Sequence, residues 1–187
     1  MNKLELRKEI LSLVKKYADI DRGDTAFNKG IDAIPSAGKV IGASELSMMT
    51  EAVLDGWLTT GRFNDQFEEK LANYLGIKHA LTTNSGSSAN LLAFTALTSP
   101  KLGNRQIKIG DEVITVAAGF PTTVNPILQN NCIPVFVDVE IPTYNINVEL
   151  LEKAYSKKTK AVMLAHTLGN PYNLKAVKEF TEKHNLW

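Results

Sequence analysis

Beyond Ile77, short and almost continuously apolar runs alternate with stretches of helical period, and this rhythm constrains the fold more than any other feature. The apolar runs are His79–Thr83, Glu112–Val116, Ile133–Val137 and Ala161–Ala165. Between and after them come Ser87–Leu97, Thr122–Gln129 behind Pro121, Val148–Tyr155 and Leu174–His184, which read as helices. Strands that are apolar on both sides are buried on both sides. The spacing therefore predicts an α/β protein, a mostly parallel sheet covered by helices, with right-handed crossovers. Ahead of Ile77 the pattern is different. Leu4, Leu6, Ile10, Leu11, Leu13, Val14 and Tyr17 form one stripe of an amphipathic helix over Leu4–Ala18. Residues 19–42, with Gly23, Gly30, Pro35, Gly38 and Gly42, hold no period and read as an arm. Ser44 is the expected N-cap of a helix running to Asp55. A further helix is expected over Asn64–Tyr74, with Gly76 as its stop. Two parts result: residues 1–43 as helix and arm, and residues 44–187 as the front of an α/β domain. His184–Trp187 leave a helix toward what should be another strand, so that domain is expected to be incomplete at its C-terminal side.

Charge and composition exclude several classes. Lys and Arg total 21 against 20 Asp and Glu, a net charge of +1, which supplies no field for nucleic acid or an anionic membrane. No apolar run approaches the ~20 residues of a bilayer span, and the start lacks a secretory pattern, so a cytoplasmic location is expected. Cys132 is the single cysteine, so no internal disulfide and no cysteine-cluster metal site can come from these residues. Rival phosphate and nucleophile motifs fail as well. Gly56–Gly61 has P-loop spacing but continues Arg62-Phe63 instead of Lys-Ser/Thr, and it follows a helix. Neither a dinucleotide fingerprint nor a nucleophile elbow is present.

In open α/β sheets ligands collect beyond the carboxyl ends of the strands. The first such junction is Thr83-Asn84-Ser85-Gly86-Ser87-Ser88-Ala89-Asn90. Gly86 is expected to turn the backbone sharply, and the helix start to offer free N–H groups from Ser87, Ser88 and Ala89. Those donors, the hydroxyls and the helix dipole would make an anion cradle. One serine would suffice as an ordinary N-cap; three around a glycine favour a phosphate. At the second junction, Phe120 among Ala117, Ala118, Gly119 and Pro121 is either a core staple or a flat ring that stacks on an aromatic ligand. The third junction carries Asp138 and Glu140, which an exposed turn before Pro142 explains without acid–base chemistry. At the fourth, His166 either lines a site or is a hydrogen-bonded structural imidazole.

Taken together, Asn84–Ala93, Ala117–Thr123, Val135–Val139 and His166–Pro171 resemble the nucleotide-sugar aminotransferase and dehydratase family of fold type I vitamin B6 enzymes. Gly56–Phe63 fits the segment that precedes its large domain, and the run from about Lys39 to Trp187 looks most like the CDP-4-dehydro-6-deoxyglucose 3-dehydratases of lipopolysaccharide dideoxysugar synthesis. The resemblance implies that Gly86, Ser87 and Ser88 bind the phosphate of pyridoxamine or pyridoxal 5'-phosphate. It implies too that Phe120 stacks on the ring, with His166 near the cofactor and Thr60 near the substrate. A CDP-linked sugar, a partner reductase, a homodimer and a 2Fe–2S cluster are further implications, the cluster having no ligands in these residues. The aspartate for the pyridine nitrogen and the histidine that replaces the aminotransferase lysine are expected beyond Trp187. The alternatives are a sugar-nucleotide aminotransferase of the same family and a non-catalytic phosphate-binding fragment.

Overall fold

The computed structural model describes residues 2–20, 27–34 and 38–187. Of the arm at 19–42, residues 21–26 and 35–37, with Gly23 and Pro35, lie outside the described residues. The chain divides into two compact units, Met1–Leu81 and Thr82–Trp187.

The first unit holds three helices: α1 (Lys3–Ile20), α2 (Ala43–Asp55) and α3 (Arg62–Leu75). Asn2 caps α1: its Oδ1 accepts from the amides of Leu4 and Glu5, while Glu5 Oε2 accepts from Asn2 N at 2.9 Å. The N-cap of α2 is Gly42, not Ser44, which lies inside the helix. Glu45 decides the start, because its Oε2 reaches back to the Gly42 amide at 2.7 Å. Gly56 and Gly76 end α2 and α3 in the left-handed region, both at φ 66°. The three helices are tied by four charges. Arg7 of α1 and Arg62 of α3 share Asp55, at 2.7 and 2.9 Å on its two oxygens, and both approach Glu51.

In the second unit, β1 (Glu112–Thr115) lies between β2 (Ile133–Phe136) and β3 (Thr159–Val162), and both pairings are parallel. Trp187 joins the outer side of β3 in the parallel pattern, donating to Lys160 O and accepting from Val162 N, each at 2.9 Å. Helices cover both faces, as the continuous apolar strands require. On one face Val113 and Ala161 pack with Phe94 of α4 (Gly86–Ala96) and Ile127 of α5 (Asn125–Gln129). On the other, Ile114 and Val116 pack with Leu151 of α6 (Leu151–Ala154) and with Val177 and Phe180 of α7 (Leu174–Lys183). Val113, Ile114 and Thr115 are fully enclosed.

Other elements differ from the sequence reading as well, among them the helix expected over Val148–Tyr155, which is a 3-10 turn, Val148–Leu150, followed by α6. Residues 79–83 are not a strand: among the described residues the sheet has three strands, and none ladders with that segment. Strand propensity alone makes no strand, since the backbone groups need a partner. β3 begins at Thr159, not Ala161, because pairing starts where Glu112 N donates to Lys158 O at 2.9 Å. The helix expected over 122–129 is broken into a 3-10 turn, Pro121–Thr123, and the short α5. Pro126 has no N–H to give to the carbonyl of Thr122, so a continuous helix loses a rung there.

Candidate functional site

The serine turn is built by its own side chains. Ser85 is the N-cap of α4, and its Oγ accepts from Ser88 N at 3.1 Å and lies 3.2 Å from Ser88 Oγ. Thr83 Oγ1 donates to Ser85 O at 2.9 Å, which fixes the approach to the turn. Ala89 N bonds to Ser85 O in the normal helical way. The donors left without a protein partner among the described residues are therefore the amides of Gly86 and Ser87, with the Ser87 hydroxyl beside them; the amides of Ser88 and Ala89 are already used. Gly86 does not serve as a sharp turn, because its φ is not left-handed. A Cβ placed there would meet nothing within 4 Å, so its bareness keeps the space before the helix start open. Two free N–H groups, a hydroxyl and the positive end of a helix suit a phosphate group.

The proline that breaks the neighbouring helix also joins the two walls of the site. Thr122 O, released by Pro126, accepts from Asn90 Nδ2 of α4 at 3.3 Å. This bond holds the turn carrying Phe120 against the serine helix. Between them lies a cleft of about 160 Å³, lined by Ser87, Ser88 and Leu91 on one side and Thr122, Asn125 and Pro126 on the other. Phe120, the residue before the 3-10 turn, is 70% exposed, so it is not a core staple. Phe120 is not among the residues that line the cleft; the turn it leads into is.

His166 follows β3 and is exposed, and its partners belong to its own loop. Nδ1 accepts from Tyr172 N at 3.4 Å and the ring packs on Tyr172 at 4.5 Å, which leaves Nε2 without a partner among the described residues. The loop is clamped by Asn145, which donates to Asn170 O at 3.1 Å and accepts from Thr167 N at 3.4 Å. Leu168 pays for that clamp by holding φ at 53° while 97% exposed. Asp138 is spent on a turn, its Oδ1 accepting from Val139 N at 2.8 Å. In the first unit Thr60 lines a pocket of about 530 Å³ with Asp55, Trp57, Arg62 and Phe63, and its carbonyl accepts from Trp57 Nε1 at 2.7 Å. Cys132 is buried, and burial raises its thiol pKa. Among the described residues no three His, Cys, Asp or Glu side chains gather to hold a metal.

The sequence reading missed the Asn90 tie and the Arg7–Asp55–Arg62 bridge. Pro126 was a legible signal for the first, since a proline inside a helical pattern always frees one carbonyl.

A parallel three-stranded sheet flanked by helices, with a serine-rich helix start, defines an α/β protein. Residues 39–187 match the model of the DegT/DnrJ/EryC1/StrS aminotransferase family, and the chain belongs to that family. It is 63% identical over 182 residues to the lipopolysaccharide biosynthesis protein RfbH of Salmonella typhimurium, covering 97% of this chain and 42% of that protein. It is 42% identical over 183 residues to the dTDP-4-dehydro-2,6-dideoxy-D-glucose 3-dehydratase of Saccharopolyspora spinosa, covering 98% of this chain and 39% of that one. Among solved structures, a GDP-4-keto-6-deoxymannose-3-dehydratase with a trapped PLP-glutamate geminal diamine aligns with a TM-score of 0.76 at 32% identity, over 82% of this chain and 39% of that chain. The chain thus spans about two fifths of the length of the curated relatives it matches. No helix among the described residues is long and apolar enough to cross a membrane.

Proposed function

We propose that residues 44–187 form the front of the cofactor-binding domain of a pyridoxamine-phosphate-dependent sugar-nucleotide 3-dehydratase. The substrate is a CDP-4-dehydro-6-deoxyhexose on the route to a dideoxysugar of lipopolysaccharide O-antigen. The observation that carries this reading is the pair of unbonded amides at Gly86 and Ser87, at the start of a helix that the Asn90–Thr122 bond ties to the turn after the exposed Phe120. The similarity to RfbH and to two kinds of 3-dehydratase supports the reaction class.

The residues divide the work. Gly86 and Ser87 donate backbone N–H groups to the phosphate, the hydroxyls of Ser87 and Ser88 add to them, and the α4 dipole favours the negative charge. Phe120 covers one face of the ring and excludes water from it. By the resemblance, His166 is assigned to the cofactor and Thr60 to the substrate. The cofactor, when bound, supplies the electron sink for charge that develops on the sugar as its C3 hydroxyl leaves. On this reading the group that moves the proton is not assigned to any of residues 1–187, and the same holds for ligands of a 2Fe–2S cluster. A reductase partner, a homodimer and a cytoplasmic setting complete the proposal.

The test is cofactor binding by the chain itself. Pyridoxal 5'-phosphate should bind saturably, with an induced circular dichroism band at its visible absorption. Ser87→Asp, which sets a like charge against the phosphate, should abolish the band; an undiminished band in Ser87→Asp refutes the cradle. An aminotransferase reading is favoured by the name of the family model and by similarity to the GDP-perosamine synthase of Vibrio cholerae, 31% identical over 155 residues. Transfer of an amino group to a keto-sugar by the full-length protein would select it.

A further inference from the structure

At the amino-terminal end of β3, away from the serine turn, a separate cavity of about 120 Å³ gathers cations without acids. Arg105, Lys157 and Lys160 line it, together with Asn104, Tyr155 and Asn185. The Arg105 guanidinium lies 3.5 Å over the ring of Trp187, whose Nε1 donates to Arg105 O at 2.8 Å. A guanidinium stacked by its face keeps its N–H donors in plane, directed outward from its edges. Among the described residues, none of Arg105, Lys157 and Lys160 has a carboxylate partner. Neighbouring side chains do: Lys183 and His184, the latter also lining the cavity, share the two oxygens of Glu152 at 2.7 and 3.1 Å, and Lys175 and Lys178 pair along α7. Glu152 is thereby already occupied. Asn104, Tyr155 and Asn185, which line the same cavity, also have no side-chain hydrogen-bond partner among the described residues.

The geometry points to a second anion site here, one that takes a tetrahedral oxyanion of the phosphate class between the edge of Arg105 and the ammonium groups of Lys157 and Lys160. Like charges brought together repel, and an oxyanion offers each an acceptor while neutralising the cluster. The cavity has room for about four waters at roughly 30 Å³ each, which suits one phosphoryl group and not a sugar ring. The cofactor's phosphate has its own cradle at α4, so this site serves a different ligand: free phosphate, or one phosphoryl group of a nucleotide.

Trp187 is a built-in reporter. The chain has two tryptophans, and Trp57→Phe leaves Trp187 alone. Its emission is followed as inorganic phosphate, sulfate or chloride is added at constant ionic strength. A saturable change is expected with phosphate and sulfate and not with chloride. Lys160→Met and the exposed Lys157→Gln should each weaken it by roughly tenfold while far-ultraviolet circular dichroism stays unchanged. Ser87→Asp should leave it intact, which separates this site from the cofactor cradle. A nucleoside diphosphate that binds more tightly than phosphate assigns the site to a nucleotide; equal or weaker binding assigns it to free phosphate. A linear response, an equal response to chloride, insensitivity to both lysine changes, or loss in Ser87→Asp overturns the proposal.

Discussion

Asn90 is the residue on which the width of the cleft depends, and its contribution can be isolated. Its amide donates to the one carbonyl that Pro126 leaves without a helical partner, at 3.3 Å and in a part-buried position. Asn90→Ala removes the donor, and Thr122 O has no substitute in the helix, since residue 126 cannot supply one. A hydrogen bond of this kind contributes about 1 kcal/mol net, rising toward 3 if the carbonyl stays dry. Pro126→Ala restores an N–H four residues after Thr122, so the amide of residue 126 can then take over. The substitution has its own packing penalty, because Pro126 is fully buried. A double-mutant cycle cancels that penalty. Asn90→Ala should cost about 1 kcal/mol less in the Pro126→Ala background than in the parent, measured by urea unfolding followed by circular dichroism. Additivity within about 0.3–0.5 kcal/mol would show that the two residues do not share the carbonyl, and would refute the tie.

Two further outcomes follow from the packing and the charges. Phe94→Ala should destabilise the second unit by about 3–5 kcal/mol in the same unfolding assay, because Phe94 is buried in the cluster between α4, α5 and the sheet. Arg62 and then Arg7 hold the Asp55 carboxyl below its ordinary value of 3.8, and Lys183 and His184 do the same for Glu152 against 4.5. A depressed folded pKa gives stability that is full above the unfolded value and lost as pH falls through the folded one. Thermal stability should therefore fall as pH drops below about 4, and Arg7→Gln should flatten that slope; an unchanged slope would argue against the shared bridge.

Most of the second unit was legible because its physics is local or two-sided. Glu112–Val116 and Ile133–Val137 read as buried parallel strands from apolar continuity alone; both pair in parallel, but only β1 is enclosed, while β2 at the sheet edge leaves Ile133 and Phe136 exposed. His79–Thr83 carried the same signature and failed, since a strand is completed by a partner that no window of sequence contains. Ser44 was a sound N-cap by residue type, yet Glu45 moved the start to a glycine with no side chain, because a reach-back bond can outweigh a hydroxyl. Within the site, the serine turn and Phe120 could be named from residue types. Which amides remain free could not, because it depends on Ser85 capping Ser88 rather than a ligand. The bond from Asn90 to Thr122 spans 32 positions and leaves no trace in local pattern.

Phe94 and Ile127 rest on the same side of the sheet, one beneath each wall of the cleft. The aperture is thus set from its foundation: a bulkier or slimmer side chain in that shared layer would spread or narrow the mouth without touching any residue that lines it. Selection acting on core volume could then retune ligand fit while every contact atom kept its identity.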